Sequence, residues 1–467
     1  MLTAIRRPSP RDAVFRLLLL LVLFPASGLS QRPPSFDYIV IDPAGLKDPW
    51  GKTIADLNGD GAPDLVVGGN VSGGLVWYEN PSWNPHVISG LRGFRTDHES
   101  GDVDGDDIPD VISLATDSGG RPWLAWFRNP GNGGADWIPS TVDTIVLHDV
   151  EATDLNGDGR VDIVGRNQEL FGPEGGDTLF LYFHESSGQW RKHRIVCPNG
   201  EGMKVVDINR DARPDIVVNA SWFENTGTDT AWIERPFTSA YTYRSVAVDV
   251  ADLDGDGLVD ILLAPSEPVG GTYRISWFKA PPDPTQADWQ ESVVEDGVET
   301  VHHSIGAADF DNDGTVDIAS AKMHNGVTLP EVKVFLNGGQ GLTWTKHLIA
   351  TTGSHSIRVV DIDGNGSKDI FGANWRGDRS DLWVNQPDTL IYSLRVTDGT
   401  GAARTLEFGL GRYATDSLDA VLREVELSGG ATPGTFDARF VGTRTGADLG
   451  RGTHRDFRKG DSATVGV

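Results

Sequence analysis

The sequence predicts an all-β protein: a seven-bladed β-propeller closed by an N-terminal strand and followed by a small β-sandwich-like domain. Three observations carry the prediction. One acidic phrase recurs seven times, each copy sits in the same run of four short strands, and the strand missing from the last repeat stands ahead of the first. A period near fifty residues matches the span of one propeller blade.

The phrase reads Asp, apolar, Asp or Asn, any residue, Asp or Asn, usually Gly, two residues, then Asp and Ile, Leu or Val. Copies begin at Asp56, Asp102, Asp154, Asp207, Asp252, Asp309 and Asp361, spaced by 46, 52, 53, 45, 57 and 52 residues. Calcium takes six to eight oxygens from carboxylates, carbonyls and water, and Gly at position 6 supplies the sharp turn that lets them converge. Loop 1 offers Asp56, Asn58, Asp60 and Asp64, and loop 3 offers Asp154, Asn156, Asp158 and Asp162. Loop 5 offers Asp252, Asp254, Asp256 and Asp260; loop 6 Asp309, Asp311, Asp313 and Asp317; loop 7 Asp361, Asp363, Asn365 and Asp369.

Two loops depart from the pattern. Loop 2 has Asp102, Asp104, Asp106 and Asp110 but carries Asp107 at the Gly position, a residue that tolerates a left-handed turn. Loop 4 has Asp207, Asn209, Asp211 and Asp215 with Ala212 at that position and Arg210 beside the cage, so it is expected to be the weakest site or an empty one. Five to seven structural Ca²⁺ ions are predicted. Without metal, carboxylates packed this closely would repel one another.

The fifth repeat illustrates the strands: Ser245 to Val250 enters the loop, then Asp260 to Ala264, Arg274 to Lys279 and Ser292 to Val294 follow. The third strand carries an aromatic cluster ending in Asn, as in Trp77-Tyr78-Glu79-Asn80 and Trp222-Phe223-Glu224-Asn225. A further Trp recurs before the fourth strand, at 83, 137, 190, 232, 289 and 344. Recurrence at one repeat position assigns these rings to the gaps between blades rather than to a sugar-stacking platform. The seventh repeat lacks a fourth strand, and Asp37-Tyr38-Ile39-Val40-Ile41 supplies it, so residues 36–385 form one closed ring. Residues 386–467 lack the phrase and read as a second β domain, either a fragment or a module completed by further contacts, with strands at Ile391 to Val396 and Arg404 to Phe408.

Composition fits this plan. Residues 1–30 read as a signal peptide, with Arg6, Arg7, Arg11 and Arg16 ahead of the apolar stretch Leu17 to Phe24, so the mature protein is expected to be secreted or displayed at the cell surface. No segment has the length of a transmembrane span. Removing the leader's four Arg and one Asp takes the net charge from −27 to −30, and 24 Asp occupy ligand positions in the loops. An acidic balance of this size argues against nucleic-acid partners. The single Cys197 excludes an internal disulfide and is expected to be a buried apolar residue on a strand.

The phrase and strand pattern resemble the FG-GAP and VCBS-type repeats of the integrin alpha-subunit propeller and of many secreted bacterial proteins, over about 350 of the 467 residues. The resemblance implies calcium loops joining the first and second strands on one rim of the disc. It leaves function open, because relatives include adhesion modules, sugar-binding proteins and enzymes.

The opposite rim carries the remaining chemistry. Ahead of the first strands stand Asp97-His98-Glu99, His148-Asp149-Val150-Glu151, Glu201, His302-His303 and His355; after the second strands come Asn167, Lys322-Met323-His324 and Asn374-Trp375. His98, His148, His303, His324, His355 and Arg358 are the candidate catalytic residues, and a transition metal is a further candidate cofactor at this rim. Two functions follow as expectations: a binding or adhesion module for a carbohydrate or protein ligand, or a carbohydrate-active enzyme. Some propeller polysaccharide lyases and a sugar-dehydratase family share the repeat, and His302-His303-Ser304-Ile305 and His355-Ser356-Ile357-Arg358 resemble their style. A solvated polar rim without chemistry is the third alternative.

Overall fold

The computed structural model describes residues 33–386, apart from 43–44, 132–135 and 169–175, and outside that range only strands within 15–17 and 389–466. Residues 31–386 form one compact unit. Within it are seven four-stranded antiparallel sheets, each a blade. In every blade the residue just before the acidic phrase pairs with the Asp that ends it, as in Ala55↔Asp64, Thr153↔Asp162 and Val360↔Asp369. Each phrase is therefore the turn between first and second strands, as the resemblance implied.

Strand bounds follow the turn chemistry. Blade five consists of Ser245–Ala251, Asp260–Glu267, Thr272–Lys279 and Gln290–Glu299. The last strand is longer than its sequence core because register shifts near Ile275 carry the pairing on to Glu299. Ring closure is as expected. Ser35–Asp42 pairs antiparallel with Arg379–Gln386, through Asp37↔Val384, Tyr38↔Trp383 and Ile39↔Leu382, and completes blade seven.

The core is divided among seven apolar clusters, each shared by two neighbouring blades. Trp77 of blade one packs with Val111, Ala125 and Phe127 of blade two; Trp222 of blade four packs with Val246, Ile261 and Phe278 of blade five. Flat rings are suited to that position because blades diverge outward and the gap must be filled. Cys197 is buried in the cluster between blades three and four, but it stands just past the strand Trp190–Val196 rather than within it.

Residues 1–30 and 387–467 form a separate unit. Its described strands make two sheets: Thr389–Thr397 pairs with Ala403–Gly411 and with Ser462–Gly466, while Phe15–Leu17 pairs with Val425–Gly429, which pairs with Thr435–Phe440. Residues 398–402, between the two expected strands, and most of the expected leader lie outside the described residues. Among the described residues no helix is long and apolar enough to cross a membrane.

Candidate functional site

The acidic loops share one internal architecture. The first Asp accepts backbone N–H groups from positions 4, 5 and 6: Asp56 takes Gly59, Asp60 and Gly61 at 2.8, 3.1 and 2.8 Å. The ninth Asp is a buried strut. Asp110 accepts from Val103 N at 3.1 Å and from Asn129 N at 2.7 Å, and the same pair of contacts recurs at Asp64, Asp162, Asp215, Asp260, Asp317 and Asp369. Its residues tie loop, second strand and third strand together.

Positions 4 and 6 both require a left-handed backbone. Position 6 shows it at Gly61, Gly159, Gly257, Gly314 and Gly366, and also at Asp107 (φ 65°) and Ala212 (φ 66°). Position 4, read in the sequence as any residue, is Gly in five loops but Arg210 (φ 62°) in loop 4 and Asn312 (φ 57°) in loop 6. Loop 4 thus holds two side-chain-bearing residues in the left-handed region, where most of the other loops have Gly.

The donor set fits a hard cation. In loops 2, 5, 6 and 7 carboxylate oxygens from positions 1, 3 and 9 lie within 4.8 Å of one another: Asp102, Asp104 and Asp110; Asp252, Asp254 and Asp260; Asp309, Asp311 and Asp317; Asp361, Asp363 and Asp369. Loops 1, 3 and 4 carry Asn58, Asn156 and Asn209 at position 3, whose amide oxygens are also calcium ligands by chemistry. Asp361 Oδ1 is buried without a hydrogen-bond partner, as an oxygen awaiting a cation would be. Burial raises every ninth-position carboxyl. Backbone N–H donors oppose this and neighbouring loop carboxylates add to it, leaving Asp64 at about 6, Asp110, Asp162, Asp215, Asp260 and Asp369 at about 7, and Asp317 at about 8. Basic side chains partly neutralise some loops: Arg128 reaches Asp104 and Asp106, Lys279 reaches Asp254 and Asp256, and Arg213 reaches Asp211. These are Asp triads of the kind typical of FG-GAP calcium loops.

At the opposite rim the candidate histidines separate into three environments. His148, His303 and His355 converge at the channel mouth. The His303 ring lies 5.7 Å from His148 and 4.3 Å from His355, and Glu201 stands beside the first two. The Asp149 and Glu201 carboxylates outweigh burial and raise His148, whereas burial holds His303 down at about 3. His324 packs edge-on against Trp375 at 4.0 Å, at the border of this group. His98 does not join it. It is fully buried between blades one and two, bonded to Ser113 and close against Gly51, Gly68 and Phe94. His302 is likewise buried, bonded to Ser320 at 2.9 Å. His98 opens its first strand and His302 stands ahead of the strand Ser304–Ala308, and both side chains turn into the blade packing rather than toward the channel.

Arg358 lies deeper, on the channel-lining strand Ser356–Val360, where it reaches Asp97 at 2.6 Å and Glu99 at 3.1 Å. Lys204 similarly pairs with Glu151 at 2.8 Å. The channel cavity, about 420 Å³, is lined by the first strands and by His148, Glu201 and His303 at its rim end.

A second cavity of about 450 Å³ adjoins it and shares Thr96 and His148. Trp50 and Trp375 line it, 6.2 Å apart, with Trp50 stacked on His355 at 5.3 Å. Five of its polar atoms are buried without a hydrogen-bond partner: Thr96 Oγ1, Gln168 Oε1, Asn325 Oδ1, His355 Nδ1 and Trp375 Nε1. Trp50, Gln168, Glu267 and Asn325 were missed in the sequence. Their signal was available, because Trp50 stands six residues ahead of its acidic phrase, as His148, His303 and His355 do, and Gln168, Glu267 and Asn325 stand at the ends of second strands or just past them, as His324 does.

A family model of FG-GAP-like repeats matches residues 56–113, 102–165, 207–263 and 309–372, each span beginning at the first Asp of an acidic phrase. Together with the blade architecture this places the chain among FG-GAP-like repeat proteins, its repeats forming a seven-bladed β-propeller.

Proposed function

We propose that the protein is a secreted, calcium-supported binding module that takes a carbohydrate at the channel mouth, on the rim away from the acidic loops. One observation carries this reading: two tryptophans and five unpartnered buried polar atoms line the same cavity. Buried polar groups are costly unless hydrogen-bonded, so a ligand rich in hydroxyls, with apolar ring faces for the indoles, is the complement such a wall selects. A protein ligand is the alternative occupant. Residues 1–30 support secretion by their charge and apolar pattern, and the described strands within 389–466 support a β-sandwich-like tail over 386–467. The acidic loops act as supports, taking five to seven Ca²⁺ ions, with loop 4 the weakest.

A glycan array read with and without calcium tests the proposal, followed by tryptophan-fluorescence titration of the best ligand. Trp50→Ala and Trp375→Ala should each weaken binding about tenfold or more while leaving calcium-dependent melting unchanged. Absence of any glycan signal, with fluorescence unmoved, would overturn it.

A carbohydrate-active enzyme, of polysaccharide lyase or sugar dehydratase type, is the second reading. The convergence of His148, His303 and Glu201 favours it, since a base and an acid could share one substrate there. Arg358 supports it less than the sequence suggested, because its charge is committed to Asp97 and Glu99. Unsaturated product from uronate polysaccharides, lost in His148→Gln, would establish a lyase; no absorbance gain across a broad panel would remove it.

A further inference from the structure

We propose that His148, His303 and Glu201 bind a divalent transition ion, in a centre separate from the acidic loops and chemically unlike them. The three residues come from the approaches to blades three, six and four, and one ligand atom from each lies within 4.8 Å of the others. Each imidazole has its Nδ1–H committed. His148 donates to Asp149 Oδ1 at 3.0 Å, and His303 donates to the His355 carbonyl at 3.0 Å. On His303 this fixes Nε2 as the lone-pair nitrogen, and the carboxylate partner of His148 does the same for that ring once a metal takes its other side.

Both Nε2 atoms face one carboxylate, His148 at 3.6 Å from Glu201 Oε2 and His303 at 3.7 Å from Glu201 Oε1. Those separations are too long for hydrogen bonds. They are close to what a shared ion needs, since ligands about 2.1 Å from a metal stand roughly 3–3.6 Å apart. Glu201 Oε2 and His303 Nε2 are buried without hydrogen-bond partners, and their side chains are only 2% and 8% exposed. A proton shared between His148 and Glu201 would leave His303 Nε2 unsatisfied. An ion satisfies all three groups together.

The surroundings hold the ligands in place. Asp149 also accepts from Gly202 N at 3.0 Å, and Ser266 donates to Glu201 Oε1. Glu201 is delivered into the channel mouth by Gly200 (φ 148°) and Gly202 (φ 87°), where a Cβ would come within 1.9 Å of Arg244 O and 1.8 Å of Val246 O. Two imidazole nitrogens and one carboxylate suit Zn²⁺ or Co²⁺, whereas Ca²⁺ takes six to eight oxygens. Three protein ligands leave coordination positions open toward the cavity that His148 lines.

The test uses the full chain, stripped with chelator and returned to excess Ca²⁺ so that the loops are filled. Titration with Co²⁺, followed by visible absorption, and with Zn²⁺, followed by calorimetry, should each saturate at one equivalent. His303→Gln and Glu201→Gln should weaken that binding at least tenfold while melting as the wild type does in calcium. The zinc absorption edge of the wild-type protein, which does not depend on any variant folding, should report two imidazole nitrogens. No binding in excess calcium, binding unchanged in both variants, or an all-oxygen shell would each overturn the proposal.

Discussion

Single residues in this ring are held to unusual demands by backbone and burial. Arg210 and Ala212 adopt left-handed conformations that the other loops mostly give to Gly. Replacing either with Gly should stabilise the protein by about 0.5–1 kcal/mol and tighten calcium in loop 4, read as a rise in melting temperature and in calcium stoichiometry. His98 offers a pH test. Burial lowers its pKa from 6.5 to about 3, so between those values the folded protein binds fewer protons than the unfolded chain. Its neutral form is therefore fully compatible with folding above about pH 6.5, and stability should fall as pH drops toward 3. His98→Gln should flatten the slope of urea-midpoint against pH by about one proton in that window.

At the scale of the strand and loop, the least expected device is the Asn that ends the third strand. Asn129 Nδ2 donates to Leu57 O of the preceding blade's loop at 2.9 Å and to Pro109 O of its own loop at 3.0 Å. Asn80, Asn225, Asn337 and Asn385 make the same reach, to Ile362, Leu155, Leu253 and Phe310 carbonyls. Each latch joins two blades through a buried polar contact. Asn129→Ala should cost about 2–3 kcal/mol in chemical denaturation, because it strands buried carbonyls as well as removing the bonds. Loss below about 0.5 kcal/mol would show that water replaces the amide. This scale also shows what the sequence could and could not disclose. The acidic phrase, its turn and the flanking strands were legible because spacing alone encodes them. The Asn was visible at its repeat position, but its partner sits some seventy residues away, a relation that period reveals only once the blades are stacked. The rim divides similarly: His148, His303 and His355 stand six residues ahead of their acidic phrases and His98 four, an offset legible in the sequence, yet only the folded strands show that the first position faces the channel mouth and the second the packing between blades.

For the whole molecule, stability is spread over seven interblade clusters and over the loops that brace them. Calcium bound to the folded loops, as proposed above, would add its free energy to folding. Chelation should lower the melting temperature strongly, and calorimetric refilling should recover it with five to seven equivalents. An unchanged melt in chelator would contradict a structural role for the loops. Closure is the other global determinant. Deleting residues 35–42 exposes the edge strand Arg379–Gln386 and removes the Tyr38–Trp383 contact, whose ring centroids are 6.0 Å apart. The truncated protein should melt at lower temperature and self-associate, measurable by light scattering.

That closing strand also imposes an order in time. Tyr38 bonds to Asp381, 343 residues further along the chain. At synthesis rates of roughly 5–20 residues per second, the first strand emerges about 17–70 s before its partner exists. Through that interval six blades can stack, while the opening segment stays unpaired and the ring remains a split washer. The last blade made therefore decides when the first residues fold, and any agent that captures a free strand has its widest opportunity before synthesis passes residue 386.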